Sequence, residues 1–252
     1  MNILLSNDDG YSAEGIQCLY ESLKDIANVA IVAPDKERSA TSQALTLHDP
    51  IRVEKINDYT FSCNGYPADS VLIGINSVLD FRPDLVISGI NHGANLGQDI
   101  YYSGTVGAAR QAVFQGIRAI AVSTVMRSND EVRHFQTAAE IVRSLVKDKS
   151  DTLLEMPECS LLNINVPNMS ANDVGEIVWT TPQMRRYSEE VYERVDQMGR
   201  QYFWIGGSPL EIDPDTTSDH HAIMNGNISF SFLNLLNFSS DVFHEWAAKI
   251  SK

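Results

Sequence analysis

Short apolar runs alternate with segments of helical periodicity over the first two thirds of the chain, and this alternation restricts the possible folds most. The runs cover residues 2–6, 28–33, 84–87, 117–122 and 161–166. The segments with apolar residues at three- and four-residue spacing are 14–27, 68–79, 105–115 and 130–147. Near-continuous apolar strands separated by helices predict an α/β fold, a mostly parallel sheet with helices on both faces.

The pattern of apolar and polar residues changes after Pro167. Residues 201–205 and 228–232 alternate aromatic or apolar with polar side chains, which predicts exposed strands, and 241–249 has a helical pattern. We therefore predict a core at 1–167, a β-rich extension at 168–238 and a C-terminal helix at 239–252. Long strands of this kind often pair with another subunit, so the extension is predicted to make subunit contacts.

The net charge of −14 argues against duplex nucleic acid as a partner, because binding such a polymer relies on many Lys and Arg contacts to phosphate. No apolar stretch reaches the ~18 residues of a membrane span, and Met1 is followed by no basic region of a signal peptide. The three cysteines form no CxxC pair, which is typical of reduced thiols. These features predict a cytoplasmic protein without a membrane partner.

Polar clusters follow three of the predicted strands. They cover residues 7–10, 35–41 and 88–95, and are rich in Asp, Asn, Ser and Gly. Ligands of parallel α/β sheets bind outside the carboxyl ends of the strands. The three clusters are therefore expected to form one site.

Asp8 and Asp9 are adjacent, and Gly10 lets the backbone turn both carboxylates toward one point. Two crowded carboxylates repel unless one is protonated or a cation is present. Oxygen ligands favour hard ions such as Mg²⁺, Mn²⁺ or Ca²⁺, and the Ser39 hydroxyl could serve as a neutral ligand. The alternative is that both loops are ordinary turns or helix caps.

Residues 88–97 contain three glycines, with Asn91 and Asn95 among them, and Ser103-Gly104-Thr105 then opens a helix. A helix start of this composition presents hydroxyls and free N–H groups to an anion. The alternative is a plain N-cap with close helix packing. The spacing matches neither GxGxxG nor GxxxxGK[ST], so no dinucleotide or ATP fingerprint is present.

Five collinear stretches closely resemble the SurE family of survival-protein nucleotidases. They are ILLSNDDG (3–10), APDKERSAT (33–41), GYPAD (65–69), SGINHGANLG (88–97) and YSGTVG (102–107), and NINVP (163–167) also fits. The resemblance implies a Rossmann-like α/β core and a β-rich extension that assembles a homodimer or homotetramer. It also implies divalent-metal-dependent hydrolysis of nucleoside 5′- and 3′-monophosphates in the cytoplasm.

The same resemblance assigns roles to individual residues. It implies one divalent cation, Mn²⁺ or Mg²⁺, with the ligands Asp8, Asp9, Ser39 and Asn91. It places the substrate phosphate on Asn95, Ser103, Gly104 and Thr105. Catalysis falls to Asp8, Asp9 and Asn95, with one of the two aspartates accepting the proton of the attacking water.

Two departures from the family pattern concern other parts of the chain. Gly226-Asn227 precedes ISFSF where relatives have Gly-Tyr before Ile-Ser-Ile-Thr-Pro, and the segment 111–116 lacks an expected glutamate. Two other functions stay open. A haloacid-dehalogenase-type phosphatase needs Asp-x-Asp, whereas these aspartates are adjacent, and a non-catalytic nucleotide sensor could use the same loops without turnover.

Overall fold

The computed structural model describes residues 1–126, 130–188, 190–208, 210 and 215–235, so the helix predicted at 239–252 lies outside the described residues. The strands are β1 (Asn2–Ser6), β2 (Asn28–Pro34), β3 (Val53–Lys55), β4 (Thr60–Cys63), β5 (Leu85–His92), β6 (Arg118–Val125), β7 (Ser160–Pro167), β8 (Ile177–Thr180), β9 (Val191–Val195), β10 (Gln201–Ile205) and β11 (Ile228–Asn234). The helices are α1 (Glu14–Leu23), α2 (Pro67–Ile73), α3 (Gly104–Phe114), α4 (Phe135–Asp148), α5 (Ser150–Leu154) and α6 (Asp219–Met224).

Nine strands form one sheet in the order β3-β4-β2-β1-β5-β6-β7-β11-β8. The six strands from β4 to β7 in this order are parallel to their neighbours, whereas β3 and β11 run antiparallel to β4 and β7. The predicted mostly parallel α/β fold is therefore confirmed. β8 and β11, which lie in the predicted extension, pair with each other and continue the same sheet. The proposed division at residue 167 stays a prediction.

The order of the strands fixes where a ligand can enter. From β1 the chain moves outward to β2 and β4 on one side, then crosses back to β5 and continues outward to β6 and β7. The strand order thus reverses between β1 and β5. In open α/β sheets a crevice forms at this switch point, outside the carboxyl ends of the strands.

Side chains of β1 alternate between two apolar cores because successive residues of a strand face opposite sides of a sheet. Ile3 and Leu5 pack in a core with Ile16 of α1 and Val142 of α4. Leu4 packs in the second core, whose members include Val71 of α2 and Ala108 and Ala112 of α3. Helices therefore cover both faces, as predicted.

The predicted element boundaries shift where tertiary pairing outweighs local pattern. β3 and β4 were not predicted, since their short sequences VEK and TFSC carry little apolar signal. β5 continues to His92 past the predicted end at Ser88-Gly89, with an irregular register before Asn91 pairs with Ser123. Asn91 therefore lies on a strand rather than in a loop.

None of the helices in the described residues is both long and apolar enough to cross a membrane.

Gly15 fixes the distance between α1 and β5. A Cβ at this position would lie 2.1 Å from the carbonyl oxygen of Ile90. Gly15→Ala should therefore lower the free energy of unfolding by about 1–3 kcal/mol, because α1 must move off the sheet. Urea unfolding measures the change. Ser12→Ala, at an exposed position just before the helix, is the control and should stay within about 0.5 kcal/mol of the parent. Equal stability of the two variants would contradict this close packing.

Candidate active site

The turn after β1 is closed by Asn7, which is fully buried. Its side-chain amide donates to the carbonyl oxygen of Gly10 at 2.9 Å, and the Gly10 N–H donates back to Asn7 Oδ1 at 3.1 Å. Gly10 has a φ of +106°, a conformation that other residues rarely adopt. These bonds bend the chain around Asp8 and Asp9. Sequence reasoning gave Asn7 no role, although an Asn ahead of a Gly is typical of a side-chain-closed turn.

Asp8 lies directly against the start of α3. It is 3% exposed, and the Thr105 hydroxyl donates to Asp8 Oδ1 at 2.5 Å. A Cβ on Gly104 would lie 2.8 Å from Asp8 Oδ2. The helix can approach the carboxylate this closely only because Gly104 has no side chain. The structure thus brings together the predicted residues Asp8, Gly104 and Thr105.

Both aspartates have raised pKa values. Burial raises the pKa of Asp8 from 3.8 to about 6, the Thr105 hydrogen bond lowers it in part, and the charge of Asp9 raises it further. Burial also raises the pKa of Asp9, opposed by the His92 N–H that donates to Asp9 Oδ2 at 3.3 Å. Within the described ranges no Lys or Arg forms an ion pair with either carboxylate. Burial is therefore opposed mainly by hydrogen bonds, from Thr105 to Asp8 and from His92 to Asp9.

Asn91 lies next to this pair because its neighbour His92 contacts Asp9. The Asn91 side-chain N–H donates to the Gly93 carbonyl at 2.9 Å, and the amide oxygen remains as the group suited to a cation.

Ser39 belongs to an exposed loop that is anchored to the β1 turn. The Arg38 N–H donates to the Asp8 carbonyl oxygen at 2.7 Å. The Ser39 hydroxyl itself donates to Glu37 Oε1 at 3.0 Å, so it contacts neither aspartate in this structure. The loop is thus held next to Asp8, and the lone pairs of the Ser39 oxygen remain as the group suited to a cation.

Asn95 is buried and held from two neighbouring strands. Its N–H donates to Asn165 Oδ1 at 2.9 Å, and its side-chain amide donates to Ser123 Oγ at 2.8 Å. The side-chain amides of Asn163 and Asn165 donate to its carbonyl oxygen at 2.9 and 3.0 Å. Sequence reasoning missed these supports. The available signal was two asparagines within the otherwise apolar run LLNINV.

Ser103 is the N-cap of α3, and its hydroxyl accepts the Val106 N–H at 3.0 Å. The plain N-cap alternative therefore describes part of its role, and the hydroxyl hydrogen remains free to be donated to an anion.

The loop that carries Ser39 also packs on α3. Its Ser42 N–H donates to the Tyr102 carbonyl at 2.8 Å, and a Cβ on Gly107 would lie 2.3 Å from the Ser42 carbonyl oxygen.

The donor set fits a hard divalent cation. Asp8 and Asp9 supply carboxylate oxygens, and Ser39 and Asn91 supply neutral oxygens, which Mg²⁺ and Mn²⁺ prefer over sulfur. No group of three or more His, Cys, Asp or Glu side chains suited to a metal is found in the part of the chain that the structure describes. The predicted set of two carboxylates with neutral oxygens is compatible with this result, because it contains only two residues of these four types.

A reversed strand order, an acidic pair at the switch point and an adjacent helix N-terminus define the class of this protein. It is a doubly wound α/β protein in which a buried acidic pair and a helix N-terminus lie together at the carboxyl edge of the sheet.

Comparison with known proteins identifies the family. The family described as "Survival protein SurE" matches residues 3–189. A "5′-nucleotidase SurE" of Geobacter sulfurreducens is 43% identical over 250 residues, which are 98% of this chain and 94% of that protein. One of Citrifermentans bemidjiense is 43% identical over 93% of both chains. The chain therefore belongs to the SurE family, as the sequence resemblance predicted.

The fold agrees with this assignment. The crystal structure of the SurE protein from Aquifex aeolicus is similar over 100% of both chains, with a TM-score of 0.85 and 34% sequence identity.

The raised pKa of Asp8 predicts how stability depends on pH in the absence of divalent ions. Because the folded-state pKa exceeds the ordinary value of 3.8, the folded chain binds the proton more tightly than the unfolded chain. The resulting stabilisation is present at low pH and is lost as the pH rises through about 6. With about 1.4 kcal/mol for each pKa unit, the loss amounts to roughly 3 kcal/mol.

Urea unfolding in chelator, between about pH 4 and pH 7, measures this loss. Asp8→Asn should remove most of the decline with pH, because an amide does not titrate. Asp148→Asn changes an exposed aspartate and should keep the decline of the wild type. The same pH dependence in wild type and Asp8→Asn would show that Asp8 is ionised normally.

Proposed function

We propose that this protein is a divalent-metal-dependent 5′-nucleotidase, which hydrolyses nucleoside monophosphates to nucleoside and phosphate. The observation that carries the proposal is the contact of Asp8 with the first turn of α3. It places a buried carboxylate, which forms no ion pair among the described residues, beside a helix N-terminus. A cation and a phosphate group would each supply the charge that the other part of the site lacks. The similar proteins named 5′-nucleotidase support the same activity.

We assign the cation to Asp8, Asp9, Ser39 and Asn91, with Mn²⁺ or Mg²⁺ as the ion. When bound, such an ion polarises the phosphoryl group and lowers the pKa of a bound water. Because the net charge is −14, an anionic substrate needs its charge offset locally, and a bound cation is one way to do this.

The phosphate is assigned to Asn95 and to the start of α3, formed by Ser103, Gly104 and Thr105. The free N–H groups of the first helical turn donate to phosphate oxygens, and the helix dipole favours their negative charge. Asn95 contributes its side-chain amide, which donates one hydrogen bond to Ser123 of β6, while three bonds with Asn163 and Asn165 of β7 fix the backbone of Asn95. Donors that are fixed in advance stabilise the charge that develops in the transition state.

Asp9 is the carboxylate that we assign to accept the proton of the attacking water. Asp8 Oδ1 already accepts the Thr105 hydroxyl, and Asp8 is nearly inaccessible, so its role is to hold the ion. Asp9 is only partly buried and can reach solvent. The same site would accept 3′-monophosphates if the nucleoside can bind in two orientations.

Phosphate release from 5′-AMP tests the proposal, with Mn²⁺, Mg²⁺ and chelator compared side by side. Release should require the added metal. Asp8→Asn should reduce kcat by roughly a thousandfold or more, because it removes an anionic ligand of the ion. Asp148→Asn makes the same chemical change on the surface and should retain wild-type activity.

Three results would contradict the proposal, and each indicates a different function. Near-normal turnover of Asp8→Asn with metal would remove Asp8 from the site. A phospho-aspartate trapped on Asp8 would indicate the haloacid-dehalogenase-type mechanism. Binding of nucleotides without release of phosphate from any of them would indicate a nucleotide sensor. A parallel assay with 3′-AMP decides whether both monophosphates are substrates.

We also propose that the protein is a cytoplasmic homodimer or homotetramer whose subunits meet at the hairpin of β9 and β10. The two strands pair only with each other among the described strands. Their exposed apolar side chains are Val191, Tyr192, Val195, Tyr202, Phe203, Trp204 and Ile205. The register places these side chains on both faces of the hairpin, and exposed apolar side chains beside open strand edges are typical of a protein interface.

Light scattering coupled to size-exclusion chromatography tests this assembly. The wild type should elute with the mass of two or four chains. Trp204→Glu, which puts a charge on an apolar side chain that is 64% exposed, should shift the population toward smaller species. Val132→Glu alters a similarly exposed residue, 61% accessible, outside the hairpin and should leave the mass unchanged. A single-chain mass for the wild type would contradict the proposal.

A further inference from the structure

One carboxylate outside the metal and phosphate site connects the C-terminal part of the chain to that site. Asp219, the first residue of α6, is fully buried. It accepts three backbone N–H groups, from Gly97 at 2.7 Å, His220 at 2.8 Å and Gln183 at 3.3 Å. Burial raises its pKa, and these three bonds oppose the rise. A buried carboxylate is usually retained only where donors of this kind satisfy it.

Gly97 lies between two parts of the proposed phosphate site. It begins a 3₁₀ turn, Gly97–Tyr101, that leads into Ser103 and α3, and it follows Asn95 by two residues. Gly97 has a φ of +54°, and a Cβ there would lie 2.1 Å from the carbonyl oxygen of Gln183. Asp219 therefore holds Gly97, which lies between Asn95 and the start of α3, against Gln183 just after β8.

A second group of contacts fastens the same turn to the residues after β8. The guanidinium of Arg185 donates to Asp99 Oδ2 at 2.9 Å, and the Tyr187 hydroxyl donates to the same oxygen at 2.6 Å. The Gln98 side chain exchanges two hydrogen bonds with the backbone of Arg185. Contacts with Arg185 and Tyr187 thus fix the turn before α3. The turn needs such partners because a 3₁₀ turn this short is poorly stabilised by itself.

We propose that Asp219 is a positioning residue for catalysis. It sets Gly97, and through Gly97 it sets both Asn95 and the helix start at Ser103 to Thr105. This inference rests on the proposed nucleotidase function, because those residues are the ones assigned to the phosphate. It predicts that part of the C-terminal region is required for phosphate binding, independently of any subunit contact.

Four proteins separate positioning from stability: the wild type, Asp219→Ala, Asp219→Asn and Ser218→Ala. Ser218 is the N-cap of the same helix and accepts the His221 N–H at 3.1 Å, but it makes no contact with Gly97 through its side chain. Ser218→Ala should lower the Tm and leave the kinetics unchanged. Each protein is assayed for 5′-AMP hydrolysis with Mn²⁺ and for binding of inorganic phosphate by calorimetry with Mn²⁺.

Asp219→Ala should lower kcat/KM roughly ten- to a hundredfold, the size expected when a catalytic segment is misplaced. It should weaken phosphate binding at least about fivefold, because the Gly97 N–H loses its acceptor. The Mn²⁺ concentration for half-maximal activity should change much less than kcat/KM, since Asp219 contacts none of the residues assigned to the cation. Asp219→Asn retains one acceptor oxygen and should lie between Asp219→Ala and the wild type.

The inference is overturned if the Asp219 variants match Ser218→Ala in kcat/KM and phosphate affinity at a comparable loss of Tm. If Asp219→Ala does not fold, Asp219→Asn decides by the same comparison. An active wild type with unaffected Asp219 variants contradicts only the positioning role. A wild type that neither releases nor binds phosphate contradicts the proposed function and the positioning role together.

Discussion

The candidate site is organised around one hydrogen bond, from the Thr105 hydroxyl to the buried carboxylate of Asp8. It joins the end of the central strand β1 to the first turn of α3, and the absent side chain of Gly104 gives the two elements room to meet. Because the strand order reverses beside β1, the contact lies in the crevice of the sheet rather than on a helix-covered face. The positive end of a helix and an acidic pair thus face the same small volume.

This arrangement is unfavourable by itself. Burial and the neighbouring Asp9 raise the pKa of Asp8, so ionisation of this carboxyl lowers the stability of the fold unless a cation offsets the charge. Asn7 and the turn at Gly10 nevertheless hold the two carboxylates together. Buried like charges that are held together are typical of a functional site, because a bound ligand of opposite charge offsets their repulsion.

The C-terminal third supports the site as well as extending the sheet. β11 pairs with β7, the strand whose Asn163 and Asn165 hold Asn95. Asp219 and the residues after β8 hold the turn between Asn95 and α3. The exposed hairpin of β9 and β10 leaves from these same residues. The proposed assembly surface and the proposed phosphate site would therefore be connected through a short stretch of backbone.

The sequence by itself determined the elements whose signal is local. The apolar runs of β1, β2, β5, β6 and β7, the helix start at Ser103 and the turn at Asn7 to Gly10 can each be read within about ten residues, and the collinear motifs added the family. Only the tertiary structure decided what depends on strand order. Examples are the pairing that continues β5 to His92 and the hydrogen bond between residues 8 and 105. Asn165 contacts Asn95, 70 positions away, and Asp219 contacts Gly97, 122 positions away. No local pattern encodes such partners, because a buried polar side chain is satisfied by whichever group the folded sheet places next to it.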